Sequence, residues 1–341
     1  MTTFISDPPK LKIAFTLDYE IFGDGSGCVE QEQCLPTDYL ARVLELHGGH
    51  LTLFVEVGQQ IYFNTHGMTN RSGPVEDQLR ELCRRGHDIQ LHIHPMWFFA
   101  PPPENGKVKL DVSKFDLSVL ELHEIEQIVS SSVGYLKSLL TPVRENYTPV
   151  AFRAGAWSMQ NAERLFNVLY SNGIRLDSTV APGAQLSNGH YGAFDYSSFD
   201  MAAYWQYGPL IEVPILTARS ALSAWYYANP LGMRTRKIVG RRYTNKLTTR
   251  NKSKVQKLLG ILARNYHMAD FNFLSPKRLA QMIQAHANAH IGLEELPVVL
   301  IGHSKSTYFS DRLHELFHEL KKMQLRYEIV GLSQCDPAQQ K

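Results

Sequence analysis

Phe15-Thr-Leu-Asp18-Tyr-Glu20 decides how this chain is read. The run from Leu11 to Leu17 is almost wholly apolar, as expected of a parallel strand covered on both faces. It then meets two carboxylates one residue apart. Side chains alternate along a strand, so Asp18 and Glu20 project to the same side. Two carboxylates at the mouth of a buried strand are costly unless a metal or another cation lies between them. Alone, the pair reads equally well as a solvated strand end. Three further stretches shift that balance, each at the end of a predicted strand: His92-Ile-His94-Pro95, Arg153-Ala-Gly-Ala-Trp157 and Gly302-His303-Ser304.

Outward from Asp18, apolar runs alternate with helical periodicity. A helix is predicted from Pro36-Thr37-Asp38, with Leu40, Val43, Leu44 and Leu46 on its apolar face. Strands are predicted over His50–Val57 and Asp88–His92, with a helix over Val75–Arg85 between them, closed by Gly86. A long helical stretch, Leu117–Leu140, precedes a strand at Pro149–Ala154 and a helix at Gln160–Ser171. Strands at Leu210–Pro214 and Val298–His303, a helix at Ser310–Met323 and a last strand at Tyr327–Leu332 complete the pattern. Such alternation predicts a parallel α/β architecture with ligands at the carboxyl ends of the strands. The loop Gly23-Asp-Gly-Ser-Gly27 lacks the G-x-G-x-x-G spacing, which argues against a dinucleotide site.

The 341 residues suffice for one large α/β barrel or two ordinary domains. A net charge of +2 argues against a molecule that binds polyanions over its whole surface. The cysteines, Cys28, Cys34, Cys83 and Cys335, form no C-x-x-C pair, and Met1–Lys10 has no apolar signal-like core. No apolar run approaches the roughly 20 residues of a membrane span. The expectation is a reducing, cytoplasmic location with free thiols. No Asp or Glu stands between Glu212 and Asp270, while Arg234, Arg236, Lys237, Arg241, Arg242, Lys246, Arg250, Lys252, Lys254 and Lys257 crowd that stretch. It interrupts the alternation. Residues 217–290 are therefore read as a basic, largely helical insertion in a single domain spanning 1–341. Its charge suits a phosphate or an anionic membrane surface, peripheral to the inner membrane; the plainer reading is a solvated face.

His92 and His94, with Asp18 or Glu20, make a His/His/carboxylate set of the kind that binds a catalytic divalent metal with open positions. An arginine at a strand end, Arg153, suits holding Asp18 ionised and oriented. His303 stands where a general acid is useful. Trp157 could wall a sugar pocket or belong to the core. His87 begins its strand, at the wrong end for the site, and reads as a buried structural histidine.

Together these residues resemble the polysaccharide deacetylase (NodB homology) superfamily of metal-dependent carbohydrate esterases. The first motif appears as Thr16-Leu-Asp18-Tyr-Glu20, the lead-in to the second as Gly86-His-Asp-Ile89, and the third as Arg153 to Trp157. Leu176-Asp-Ser-Thr-Val180 is similar to the family's Tyr-Asp-Ser-Ser-Val, and Leu300-Ile-Gly-His303 to its fifth motif. The family's H-x-x-x-H is not kept: Met96 stands four residues after His92, and His94 must substitute, as in the branch associated with lipopolysaccharide biosynthesis.

The resemblance implies a distorted (β/α) barrel with about seven strands and a hydrolase that removes an N-acyl group from a sugar. It implies Asp18 as base, Arg153 as its partner and His303 as acid. It implies Glu20, His92 and His94 as ligands of one divalent metal, Zn2+ being expected, and Trp97, Trp157 and Asp177 as substrate contacts. The expected substrate is an acylated precursor sugar, nucleotide- or lipid-linked. Three other readings stand beside it: an amidohydrolase or deformylase acting on a non-carbohydrate amide, a non-catalytic carbohydrate-binding relative favoured by Met96, and a nucleic-acid binder using residues 234–257. The near-neutral charge and the lack of a recognisable module argue against the last.

Overall fold

The computed structural model describes residues 7–111, 113–159, 162–189, 192–220, 265–306 and 312–339. Its strands are β1 (Lys10–Tyr19), β2 (Leu51–Glu56), β3 (Asp88–Ile93), β4 (Ala151–Ala154), β5 (Leu176–Asp177), β6 (Gln185–Gly189), β7 (Gly192–Asp195), β8 (Trp205–Tyr207), β9 (Leu210–Glu212), β10 (Thr217–Ser220), β11 (Asn265–Met268), β12 (Glu295–His303) and β13 (Tyr327–Ile329). The main sheet runs β12-β1-β2-β3-β4-β5-β9-β8, and β13 pairs with the start of β1. From β12 through β9 every pairing is parallel; only β8 runs antiparallel. The sheet curls until Leu216 donates to the Val299 carbonyl and Ile301 to the Ala269 carbonyl, which brings the chain after β9 back against β12. This is an α/β fold built on a distorted, parallel-rich barrel.

Residue parity divides the barrel into two faces. Leu11, Ile13, Phe15, Leu17 and Tyr19 of β1 join Leu51, Leu53 and Val55 of β2, Ile89, Leu91 and Ile93 of β3, and Leu296, Val298 and Leu300 of β12 in the larger core, under the helices. The alternate residues, Ala14, Phe54, Ala151, Val299 and Ile301, line a smaller inner core. On that inner parity the strands turn polar toward their carboxyl ends. Thr16, Asp18, Glu56, His92 and Arg153 are all buried there. Coverage on both faces explains why the strands read as continuous apolar runs.

The helices are α1 (Leu35–Leu46), α2 (Val57–Thr65), α3 (Thr69–Arg84), α4 (Leu122–Leu140), α5 (Glu163–Ser171), α6 (Pro276–Ala289) and α7 (Leu313–Lys322). Pro36 opens α1, and a Glu121/Glu124 capping box opens α4. Gly86, at φ 88°, ends α3 as expected. The sequence reading carried the second strand through Val57 and missed α2. The Glu56 carboxylate accepts from the Gly58 N–H at 2.9 Å, and that cap turns the chain from strand to helix. The last strand stops at Ile329, and residues 332–335 form a 3-10 turn instead. Most of the basic stretch, residues 221–264, lies outside the described residues. Its roots, β10 and β11, pair antiparallel from Thr217↔Met268 to Ser220↔Asn265. Among the described residues no helix is long and apolar enough to cross a membrane.

Candidate metal and acid-base site

Asp18, the last pairing residue of β1 toward β12, stands in register with His303. It is 2% exposed. Arg153 Nη1 donates to Asp18 Oδ1 at 2.7 Å, and His303 Nε2 lies 3.5 Å from Asp18 Oδ2. The guanidinium is fully buried, stacks 4.2 Å from the Phe54 ring centre and donates through Nε to the Ser178 carbonyl at 2.7 Å. Burial alone would raise the Asp18 pKa; Arg153, His92 and His303 overcome it and hold the carboxyl below its usual value. Burial pushes His303 down more strongly than Asp18 pulls it up. Its backbone N–H is fixed by Asn272 Oδ1 at 2.7 Å, and its ring packs edge-on against Trp157.

Beside this pair lies a second cluster. Single ligand atoms of Glu20, Glu56, His92 and His94 all fall within 4.8 Å of one another. Glu20 Oε2 is 4.0 Å from His92 Nε2 and 3.5 Å from His94 Nδ1, and Glu56 Oε2 is 2.6 Å from His94 Nδ1. Glu56 Oε2 also accepts from the His94 backbone N–H at 2.8 Å. Lys305 Nζ donates to Glu20 Oε1 at 2.6 Å, leaving Oε2 turned toward the histidines. Ser304 Oγ bridges the Glu20 N–H and carbonyl, so the turn after β12 grips the end of β1.

The donor set fits a divalent ion on two observations. His92 Nδ1 sits 2.8 Å from the Arg153 carbonyl, which can only accept, so Nδ1 carries the proton and Nε2 presents a lone pair. That Nε2 is buried with no hydrogen-bond partner among the described residues. Second, the cluster favours positive charge. Burial would lower the His94 pKa, yet Glu20 and Glu56 raise it above its ordinary value. Around the site three carboxylates, Asp18, Glu20 and Glu56, face two cations, Arg153 and Lys305. Two imidazoles and two carboxylates are borderline-to-hard donors suited to a first-row divalent ion.

The structure brings together Asp18, Glu20, His92, His94, Arg153, His303 and Trp157. It does not bring Trp97 or Asp177 to the mouth, where substrate contacts were expected. Trp97 is 4% exposed and packs against Tyr62 and Phe63 of α2. Asp177 is fully buried, facing Glu212 across β5 and β9. Met96 belongs to the helix-side core, so a histidine at the usual spacing of four would face away from Glu20. His94 continues the inner parity of β3 and takes that place. His87 is buried between the Leu51 N–H and Glu45, as a structural histidine. Glu56, Lys305 and Asn272 escaped the sequence reading. Only Glu56 carried a signal, a lone acid closing the apolar run of β2.

No family model matches this sequence, and no curated protein matches it. Solved structures with a related chain path include a protein from Mycobacterium smegmatis assigned provisionally as a polysaccharide deacetylase, 17% identical over 96% of this chain and 89% of that one, TM-score 0.47. The chitin deacetylase of the fungus Colletotrichum lindemuthianum is 13% identical over 97% and 88%, TM-score 0.39. A CE4-family pseudoenzyme from Bacillus anthracis is 10% identical over 96% and 66%, TM-score 0.40. All three likenesses are remote and include an inactive protein, so the reading of function rests on the residues of the site.

Proposed function

We propose that this chain is a metal-dependent hydrolase that removes an N-acyl group, acetyl being the expected one, from a sugar. The observation that supports it is the convergence, at the carboxyl ends of the neighbouring parallel strands β1 to β4, of an ionised Asp18–Arg153 pair with a Glu20/Glu56/His92/His94 cluster, joined by His303 from the end of β12. Glu20, His92 and His94, with Glu56 beside them, would hold the ion. A divalent ion bound there polarises the acyl carbonyl and acidifies a water. Asp18, held at Oδ1 by Arg153, accepts the proton of the attacking water at Oδ2. His303 Nε2, 3.5 Å away, is the next proton site and faces the leaving amine. Trp157, edge-on to His303, offers an apolar wall for a sugar ring.

The compartment proposed for this hydrolase is the reducing, cytoplasmic one that the sequence reading expects. A substrate there is a precursor, nucleotide- or lipid-linked as in lipopolysaccharide synthesis, and the basic residues of 234–257 supply the cationic partner for its phosphate. The test combines elemental analysis with hydrolysis of acylated sugars and acylated amino acids. His92→Ala loses both metal and turnover. Asp18→Asn keeps the metal and loses turnover. Full metal occupancy in His92→Ala sinks the ligand assignment, and turnover confined to acyl amino acids moves the enzyme to the non-carbohydrate amidohydrolases.

A further inference from the structure

Asp177 ends β5 and Glu212 ends β9, in register across a parallel pair. Both are fully buried. Asp177 Oδ1 accepts from Thr179 Oγ1 at 2.6 Å, and Glu212 Oε1 from the Val180 N–H at 2.9 Å. The remaining oxygens, Asp177 Oδ2 and Glu212 Oε2, receive no hydrogen from any described group, although the two side chains lie within hydrogen-bonding reach of one another. Two buried carboxylates side by side cannot both stay ionised without a cation between them.

The charged and titratable groups facing the pair come from three elements. Arg153 of β4 reaches it through Ser178, donating to the Ser178 carbonyl and, from Nη2, to Ser178 Oγ at 3.3 Å. Tyr196, after β7, and Tyr207 of β8 are the others, and burial raises both phenols, Tyr207 to about 12. Of these, Arg153 is the cation, and Asp18 already pairs with it.

We propose that Asp177 and Glu212 share one proton and act as a single negative charge that positions Arg153 behind Asp18. The network supports both halves. Thr179 Oγ1, which donates to Asp177, also accepts from the Ala154 N–H at 2.9 Å, so the pair pins the backbone next to Arg153. Burial holds the pair's proton above the ordinary carboxylate range. The shared proton stands on the register, the full burial and the two unpartnered oxygens; the positioning role rests on Asp18 being the base of the proposed hydrolase.

The sign of the linkage is distinctive. Ordinary acidic groups titrate near about 4 in the unfolded chain. A pair raised in the fold stabilises fully below that value and loses its contribution as pH climbs toward its folded pKa. Denaturation midpoints between about pH 5 and about pH 8 therefore fall for the wild type. Glu212→Gln, whose amide holds its hydrogens throughout, gives a flatter curve and gains on the wild type at the alkaline end. The infrared carbonyl band of a protonated carboxylic acid persists at the alkaline end in the wild type and is missing in the variant; Asp177→Asn gives the same result should Glu212→Gln not fold. Parallel stability curves with no such band overturn the shared proton. For positioning, Glu212→Leu loses at least about tenfold in kcat with KM held, and its Arg153 Nε–H exchanges faster with solvent; Glu212→Gln recovers most of both. Equal loss in Leu and Gln overturns positioning and leaves the pH result standing. A wild type without turnover refutes the hydrolase reading instead, and the exchange rate alone then decides.

Discussion

Glu56 serves two structures with one carboxylate: Oε1 caps α2 and Oε2 holds both the backbone and the ring of His94. Removing it takes away a helix cap and leaves a buried N–H unpaired. Glu56→Ala should therefore cost on the order of 3 kcal/mol of stability, read by chemical denaturation. Metal uptake should fall with it, because His94 loses its tether. Unchanged uptake in a folded Glu56→Ala protein would confine Glu56 to capping. Site residues were legible in the sequence when they came in spaced groups. Asp18 and Glu20 share a parity, as do His92 and His94, and Arg153 and His303 each end an apolar run. Glu56 is a lone acid, and its part in the site comes from His94, 38 residues later. Asp177 and Trp97 were assigned by resemblance; burial places the first against Glu212 and the second against α2.

Among the elements, the turn after β4 is packed directly against the site. A Cβ on Gly155 would stand 2.5 Å from His94 Cδ2 and 2.7 Å from the Ile93 carbonyl. The chain then passes through Ala156 and Trp157 at φ 55° and 52°, left-handed values that residues with side chains seldom adopt. That turn swings the indole over His303. Gly155→Ala should displace the His94 ring and weaken metal binding by at least about tenfold, as measured by calorimetric titration. Far-ultraviolet circular dichroism should stay native, since no helix or strand interior is touched. Equal affinity in the variant would show that His94 does not ligand the ion. Elements were legible where burial on both faces made a long apolar run, as in β1 and β12. They were illegible where a tertiary contact sets the boundary, as at Glu56, or where a strand is only two or three residues long and lacks an apolar run, as in β5 and β8.

At the scale of the whole molecule, charge is unevenly distributed along the sequence. The chain is nearly neutral, at +2, yet no acid stands between Glu212 and Asp270. The roots of that stretch are anchored beside the site. Ser220 and Asn265 face one another in β10 and β11, and the residues flanking those strands, Leu216 and Ala269, bond to the β12 backbone that carries His303. The proposed carrier substrate, held on an anionic surface, is the partner that the charge of this stretch suits. Each Lys or Arg near such a surface contributes on the order of 1 kcal/mol. Replacing Arg241, Arg242 and Lys246 by Gln should then lower partition onto phosphatidylserine vesicles on the order of a hundredfold. Added salt should weaken the wild type in the same direction, because these charges are screened over roughly 10 Å at 0.1 M. KM for a phosphorylated carrier substrate should rise in the variant, while hydrolysis of a small uncharged acyl sugar should hold. Sedimentation with the vesicles at two salt concentrations decides the matter: if variant and wild type pellet alike, the basic stretch is a solvated face and the carrier is recognised elsewhere.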